Sequence, residues 1–207
     1  MTEDGPIPAG PFADWLAGIE QALDGGTGSD VPCGPCTACC SSSQFVHIAP
    51  DETDALAHIP AALLFPAPML PRGHVVLGYD EHGCCPMLAD GACSIYEHRP
   101  RTCRTYDCRI FTAAGVEVDG AEQPGVARRV RRWRFDHPGP ADQAAHDAVR
   151  SAARFALEHA DELPPDARPA NPVQRAVLAI RIHRAFSEPG GGPDPEAVRV
   201  ELVRRWR

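Results

Sequence analysis

Residues 33–40 read Cys33-Gly34-Pro35-Cys36-Thr37-Ala38-Cys39-Cys40, and residues 84–108 read CCPMLADGACSIYEHRPRTCRTYDC. Together they hold all nine cysteines of the 207-residue chain. Thiols scattered by packing would not segregate into two blocks, and an odd number excludes a fully paired disulfide framework within one chain. The first block has the spacing C-x2-C-x2-C-C. Two intervening residues let a tight turn bring two sulfurs to one ion while backbone amides point at them. Pro32, Gly34 and Pro35 oppose a regular helix, so a wrapping loop is expected here. In the second block, Pro86–Leu88 and Ala92–Tyr96 flank Asp90-Gly91 and predict a hairpin. Pro100 fits the first residue of a short helix carrying Cys103. If Cys103 and Cys108 shared an unbroken helix, steps of about 100° would set them about 140° apart. Either the helix breaks near Tyr106 or the two sulfurs serve different ions.

Working outward, Phe12, Leu16, Ile19 and Leu23 recur at helical spacing and predict a helix over Pro11–Leu23. The glycine-rich run 25–29 ends it. Phe45–Ile48 and His74–Tyr79 read as short strands, with a helix starting at Pro50-Asp51-Glu52 and a proline-rich connection over Pro60–Arg72. Beyond residue 120 the chain reads as helical. The inward stripes are Val126, Val130 and Trp133, then Ala145, Val149, Ala152 and Ala156, then Val173, Val177 and Ile180. A fourth helix is expected from Asp194-Pro195-Glu196, with Val198, Leu202 and Trp206 inward. The expected organisation is an N-terminal helix and linker (1–30), a cysteine-cluster domain (31–115) and a helical extension (116–207). The fold class is α+β: a small cysteine-rich metal-binding core with short strands and a hairpin, wrapped by N- and C-terminal helices.

Composition narrows the function. Only 7 Phe, 3 Trp, 3 Tyr and 3 Met stand against 22 Pro and 18 Gly, which implies a thin apolar core and many turns. A net charge of -8 argues against nucleic acid as a partner, because phosphate neutralisation needs a basic face. No apolar run approaches the roughly 20 residues needed to span a bilayer, so no membrane partner is expected. MTEDGPIPAGPF lacks the basic and apolar regions of a secretion signal. A cytoplasmic location follows as the expectation, and in a reducing compartment clustered thiols hold metal or do redox chemistry.

The quoted motifs resemble the CxxCxxCC cysteine-cluster family, the YkgJ-like group described as zinc- or iron-chelating. Its members carry such a loop, then Cys-Pro, then Gly-x-Cys-x-Ile-Tyr-x-x-Arg-Pro-x-x-Cys-Arg. The matching residues here are Cys85-Pro86, Gly91 to Tyr96, Arg99-Pro100 and Cys103-Arg104. The resemblance covers roughly residues 33–109 and implies Cys33, Cys36, Cys39, Cys40, Cys85, Cys93, Cys103 and Cys108 as metal ligands. Cys84 is additional to the pattern and receives no ligand role. Some relatives are called Fe–S oxidoreductases, and flagellin lysine methylases are similar too, but the shared motif is a metal site and not a substrate pocket.

The bound group is expected to be iron, as an Fe–S cluster, or zinc. The first three cysteines resemble a bacterial ferredoxin run, but the Cys-Pro that should follow after three residues comes only at Cys85. Adjacent Cys39 and Cys40 suit two neighbouring ions or a cluster better than one tetrahedral ion. Four thiolates around Zn2+ leave about two negative charges. Arg99, Arg101, Arg104 and Arg109 lie nearby in sequence, and Arg99 and Arg104 match the family motif, so these two are expected to bind the cofactor. A redox centre and a structural zinc module in a binding protein are the leading alternatives, with a metal-free dithiol behind them. A protein partner stays unidentified. The nine histidines show no close sequence pair, and His82 and His98 alone lie near enough to the cysteines to contribute. The run Arg128–Arg134 is expected to be a solvated helix face.

Overall fold

The computed structural model describes residues 5–25, 28, 29, 31, 33–163, 168–187 and 198. Within it the fold is α+β. Its elements are β1 (Ile7–Pro11), α1 (Phe12–Leu23), β2 (Val46–Ile48), α2 (Thr53–His58), β3 (Leu64–Pro66), β4 (Val75–Leu77), β5 (Leu88–Ala89), β6 (Ala92–Cys93), α3 (Arg101–Thr105), α4 (Arg109–Ala114), α5 (Pro124–Arg132), β7 (Trp133–Asp136), α6 (Pro140–Glu158) and α7 (Pro172–Ile182). Among the described residues no helix is long and apolar enough to cross a membrane. Contacts divide the chain into two units. One comprises residues 1–20, 108–119 and 127–207; the other comprises 21–107 and 120–126.

The second unit carries the cysteine blocks. Its antiparallel sheet has the order β2-β4-β3. Beneath it, Ile48, Ala55, Ile59, Leu77, Met87 and Ile95 form a small core against which Cys85 and Cys93 pack. β3 was not foreseen, because the expected proline-rich connection over Pro60–Arg72 hides a strand. Pro66 is tolerated in it because β3 is an edge strand, where a missing amide breaks no central ladder. The expected hairpin is present as β5–β6, with Asp90 (φ 50) and Gly91 (φ 76) both left-handed at the turn.

Buried Glu52 fixes the position of α3. One carboxylate oxygen accepts from the Ala49 amide at 2.9 Å and the other from the Arg101 amide, the first residue of α3. The Thr102 hydroxyl donates to the His47 carbonyl at 2.7 Å, which lashes α3 to β2. The helix then breaks at Tyr106, and Cys108 stands at the start of α4. Of the two alternatives the spacing left open, the break near Tyr106 is the one observed.

The first unit is built on Trp133, Phe12, Phe111, Ile19, Val149, Leu178, Ile180 and Ile182, all fully buried. Trp133 departs from expectation. It opens a strand that pairs parallel to β1, itself unforeseen in the proline-rich N-terminus. Buried Asp142 caps two helices, accepting from Ala13 at 3.0 Å and from Gly139 at 3.2 Å. The basic run is not simply solvated: Arg132 donates to the Gly5 carbonyl at 2.8 Å, and Arg129 lies over the Trp133 ring. On α7 the fully buried face is Ala176, Leu178, Ala179, Ile180 and Ile182, with Val173 and Val177 only half-buried. Val198 is buried, whereas Leu202 and Trp206 of the expected fourth helix lie outside the described residues.

Two predictions follow from these anchors. Glu52→Ala strands two amides and should destabilise the chain by about 2–4 kcal/mol in denaturant titrations, with Glu52→Gln milder. His146 stacks on Phe12 and meets His137 Nε2 at 2.8 Å. Burial, with Arg150 and His137 adding, pulls its pKa from 6.5 down to about 4. The unfolded chain therefore takes up this proton first as pH falls. The stabilisation is full above pH 6.5 and is lost on the way to about pH 4, a swing on the order of 3 kcal/mol. Thermal melts of His146→Phe should show a correspondingly flatter pH profile; an unchanged profile would refute the assignment.

Candidate metal centre

The first cysteine block begins just after a segment stitched to α3. The Ser29 amide donates to the Arg104 carbonyl at 2.8 Å, and its hydroxyl donates to Asp107 at 2.9 Å. Gly28 runs so close to Arg104 that a Cβ there would lie 2.8 Å from the Arg104 Cβ and carbonyl oxygen, at a φ of +124. Only glycine passes this point without displacing the helix that carries Cys103. The loop then turns tightly, with the Cys36 amide donating to the Cys33 carbonyl at 3.0 Å. It ends in a 3-10 turn over Cys39–Ser41.

The second block meets the first through its backbone. The Cys85 amide donates to the Cys40 carbonyl at 2.6 Å. Asp80 shapes the approach, its Oδ1 accepting from the amides of His82 and Cys84. The β5–β6 hairpin returns Cys93, and α3 presents Cys103. None of the nine cysteines is in a disulfide, and all but Cys108 are half-buried.

Electrostatics shows which sulfurs are neighbours. Burial pushes the Cys40 thiol up to about 11, and Cys85, Cys93, Cys33 and Cys36 each push it further as potential anions. Burial pushes Cys103 up to about 12, with Cys85, Cys40 and Cys93 adding and Arg99 opposing. Burial likewise raises Cys85, and Cys93, Asp80 and Cys84 add to the shift. Seven sulfurs from four stretches of chain are thus linked through one another's charge. They are gathered without being closed: the donor trio whose ligand atoms all lie within 4.8 Å of one another is Asp54, His58 and His98, with no sulfur in it.

Thiols that repel one another as anions suit a soft cation, which supplies the positive charge they lack. The donor set therefore fits zinc or iron. Arg104 adds a second sign of fit, because its Nε is buried with no hydrogen-bond partner and has a donor to spare. Arg99 is more committed. Its guanidinium lies 3.6 Å over the Tyr96 ring, and its Nε donates to the Tyr96 carbonyl.

Other expected contributors hold partners of their own. Cys108 belongs to the first unit, where it is buried and its sulfur accepts from Trp133 Nε1 at 3.2 Å. Arg109, also in the first unit, donates to the Ala9 carbonyl, and Arg101 pairs with Asp51 at 2.8 Å. His82 is exposed beside Glu81. Histidines distant in sequence do pair in space: His47 with His74, His58 with His98 and His137 with His146. The sequence reading missed Glu52, Gly28 and the Asp54–His58 pair. Only the last left a signal, its one-turn spacing on a helix.

Residues 32–120 match the family described as "CxxCxxCC: Putative zinc- or iron-chelating domain". The match includes every cysteine and agrees with the resemblance carried by the motifs. No curated protein and no solved structure matches the chain.

If Cys40, Cys85 and Cys103 bind metal, their raised thiols must release protons on uptake. Apparent affinity should therefore fall as pH falls, by roughly tenfold per unit for each thiol involved. Competition against a chromophoric chelator between about pH 6.5 and 8.5 measures that slope, and Cys103→Ser should lower it by one proton. A slope of zero would exclude these thiols as ligands.

Proposed function

We propose that the second unit is a partly open metal centre in which Cys33, Cys36, Cys39, Cys40, Cys85, Cys93 and Cys103 bind iron or zinc, with an Fe–S cluster in a redox role as the preferred form. The carrying observation is the Cys85 amide on the Cys40 carbonyl, which joins two cysteine blocks far apart in sequence. Cys108, whose sulfur accepts from Trp133 Nε1, is left out of the set.

Two further observations favour an accessible centre over a purely structural zinc. The sulfurs are half-buried, so solvent or a small partner reaches them. The unit also has an apolar core of its own around Ile48 and Leu77, so the metal is not needed as a substitute for one. Adjacent Cys39 and Cys40 fit a cluster or an ion pair better than a single tetrahedral ion. When bound, a cluster supplies one-electron transfer and zinc a Lewis acid. Around either, Arg99 opposes the charge at Cys103, and the spare Arg104 donor offsets the thiolates. A reducing compartment, the cytoplasm, keeps such thiols available.

Anaerobic purification with metal and sulfide analysis tests the proposal. Iron with acid-labile sulfide and a broad visible absorption is the expected result. Cys40→Ser and Cys85→Ser should lower bound metal by roughly tenfold or more, while Cys84→Ser leaves it unchanged. Stoichiometric zinc in a colourless protein that unfolds on chelation would replace the redox reading with the structural one. Absence of both metals, or full metal content in Cys40→Ser, would end the proposal.

A further inference from the structure

Asp54 and His58 stand one turn apart on α2, and His98 ends the 3-10 turn over Tyr96–His98 that packs beside that helix. All three belong to the second unit, and none matches a residue of the cysteine motif. One ligand atom from each can be chosen so that all lie within 4.8 Å of one another. His98 Nδ1 is 3.0 Å from Asp54 Oδ2, and His58 Nδ1 is 3.7 Å from Asp54 Oδ1. Around a zinc ion with bonds of about 2.0–2.1 Å, two tetrahedral ligands sit roughly 3.3 Å apart. The observed separations bracket that value, and His58 Nδ1 would exchange its 2.8 Å hydrogen bond to the Asp54 carbonyl for the ion.

The two imidazoles already lie side by side. The imidazoles of His58 and His98 stack with centroids 3.5 Å apart and planes 5° from parallel. Rings in parallel planes aim their nitrogens alongside one another, so each must turn about its side-chain torsions to bring a lone pair to a shared ion. The His98 hydrogen bond keeps the Asp54 carboxyl below its ordinary pKa, so it is ionised at neutral pH. Both Asp54 and His58 are exposed, which leaves their side chains free to turn and the outward side open to water.

The geometry points to a second metal site, in which Asp54, His58 and His98 bind one borderline divalent cation such as Zn2+ through two imidazole nitrogens and one carboxylate oxygen. Three protein ligands with an open fourth position are the pattern of a reactive or exchanging zinc rather than a structural one. The site uses no sulfur, so it is chemically independent of the cysteine centre.

Anaerobic titration of the full chain with Co2+ separates the two. Thiolate ligation is read from intense near-ultraviolet sulfur-to-cobalt charge transfer. The Asp54 site is read from paramagnetically shifted imidazole proton resonances that grow without further charge transfer. The imidazole phase should appear in the wild-type chain and vanish in His58→Ala/His98→Ala. It should weaken by roughly tenfold or more in Asp54→Asn and stay unchanged in His47→Ala. An unaltered thiolate phase in each variant shows that it is folded. No imidazole phase in the wild-type chain, or its survival in the double variant, overturns the inference. Loss of the thiolate phase alone would instead count against the cysteine centre.

Discussion

A single backbone hydrogen bond, from the Cys85 amide to the Cys40 carbonyl, joins the two cysteine blocks of the second unit. Bringing chain segments together from so far apart in sequence costs conformational entropy, and one hydrogen bond cannot offset it. The apolar layer beneath supplies the rest. Cys85 and Cys93 pack against Ile48, Leu77, Met87 and Ile95, so the thiol-bearing hairpin is seated by the same burial that holds the sheet. The scaffold that carries the cysteine blocks therefore rests on apolar burial as well as on that bond.

Each unit is locked by one buried carboxylate that takes two backbone amides. Glu52 holds Ala49 and Arg101 in the second unit, and Asp142 holds Ala13 and Gly139 in the first. Short helices such as α3 have little stability of their own. A side-chain acceptor at the amino end of α3 satisfies an orphan amide there. That is how a helix of five residues holds Cys103 steady.

The chemistry of the centre follows from crowding. Thiols packed together in a half-buried site keep their protons, because several thiolates would repel at short range with little water to screen them. A soft cation reverses that balance. Proton release and metal uptake are thus one event, and the same crowding that makes the metal-free thiols inert makes the site selective for a thiophilic ion. Four histidines of this unit pair with each other, His47 with His74 and His58 with His98, and the Asp54 group is a harder donor set on the same scaffold.

The cysteine blocks, the loop and hairpin that present them, the α+β class and most helices were legible in the sequence, which left the break at Tyr106 as one of two alternatives. These are local matters: turn chemistry at Asp90-Gly91, proline positions and apolar spacing act over a few residues. Tertiary structure alone decided what depends on distant partners. β1 and β3 exist because β7 and β4 pair with them, whatever their prolines suggest. Trp133 became a strand residue for the same reason. Cys108 is near Cys103 in sequence, yet its sulfur accepts from Trp133. His58 and His98 look unrelated along the chain and stack in space. Pairing and burial join residues far apart in the chain, and no local pattern records which ones will meet.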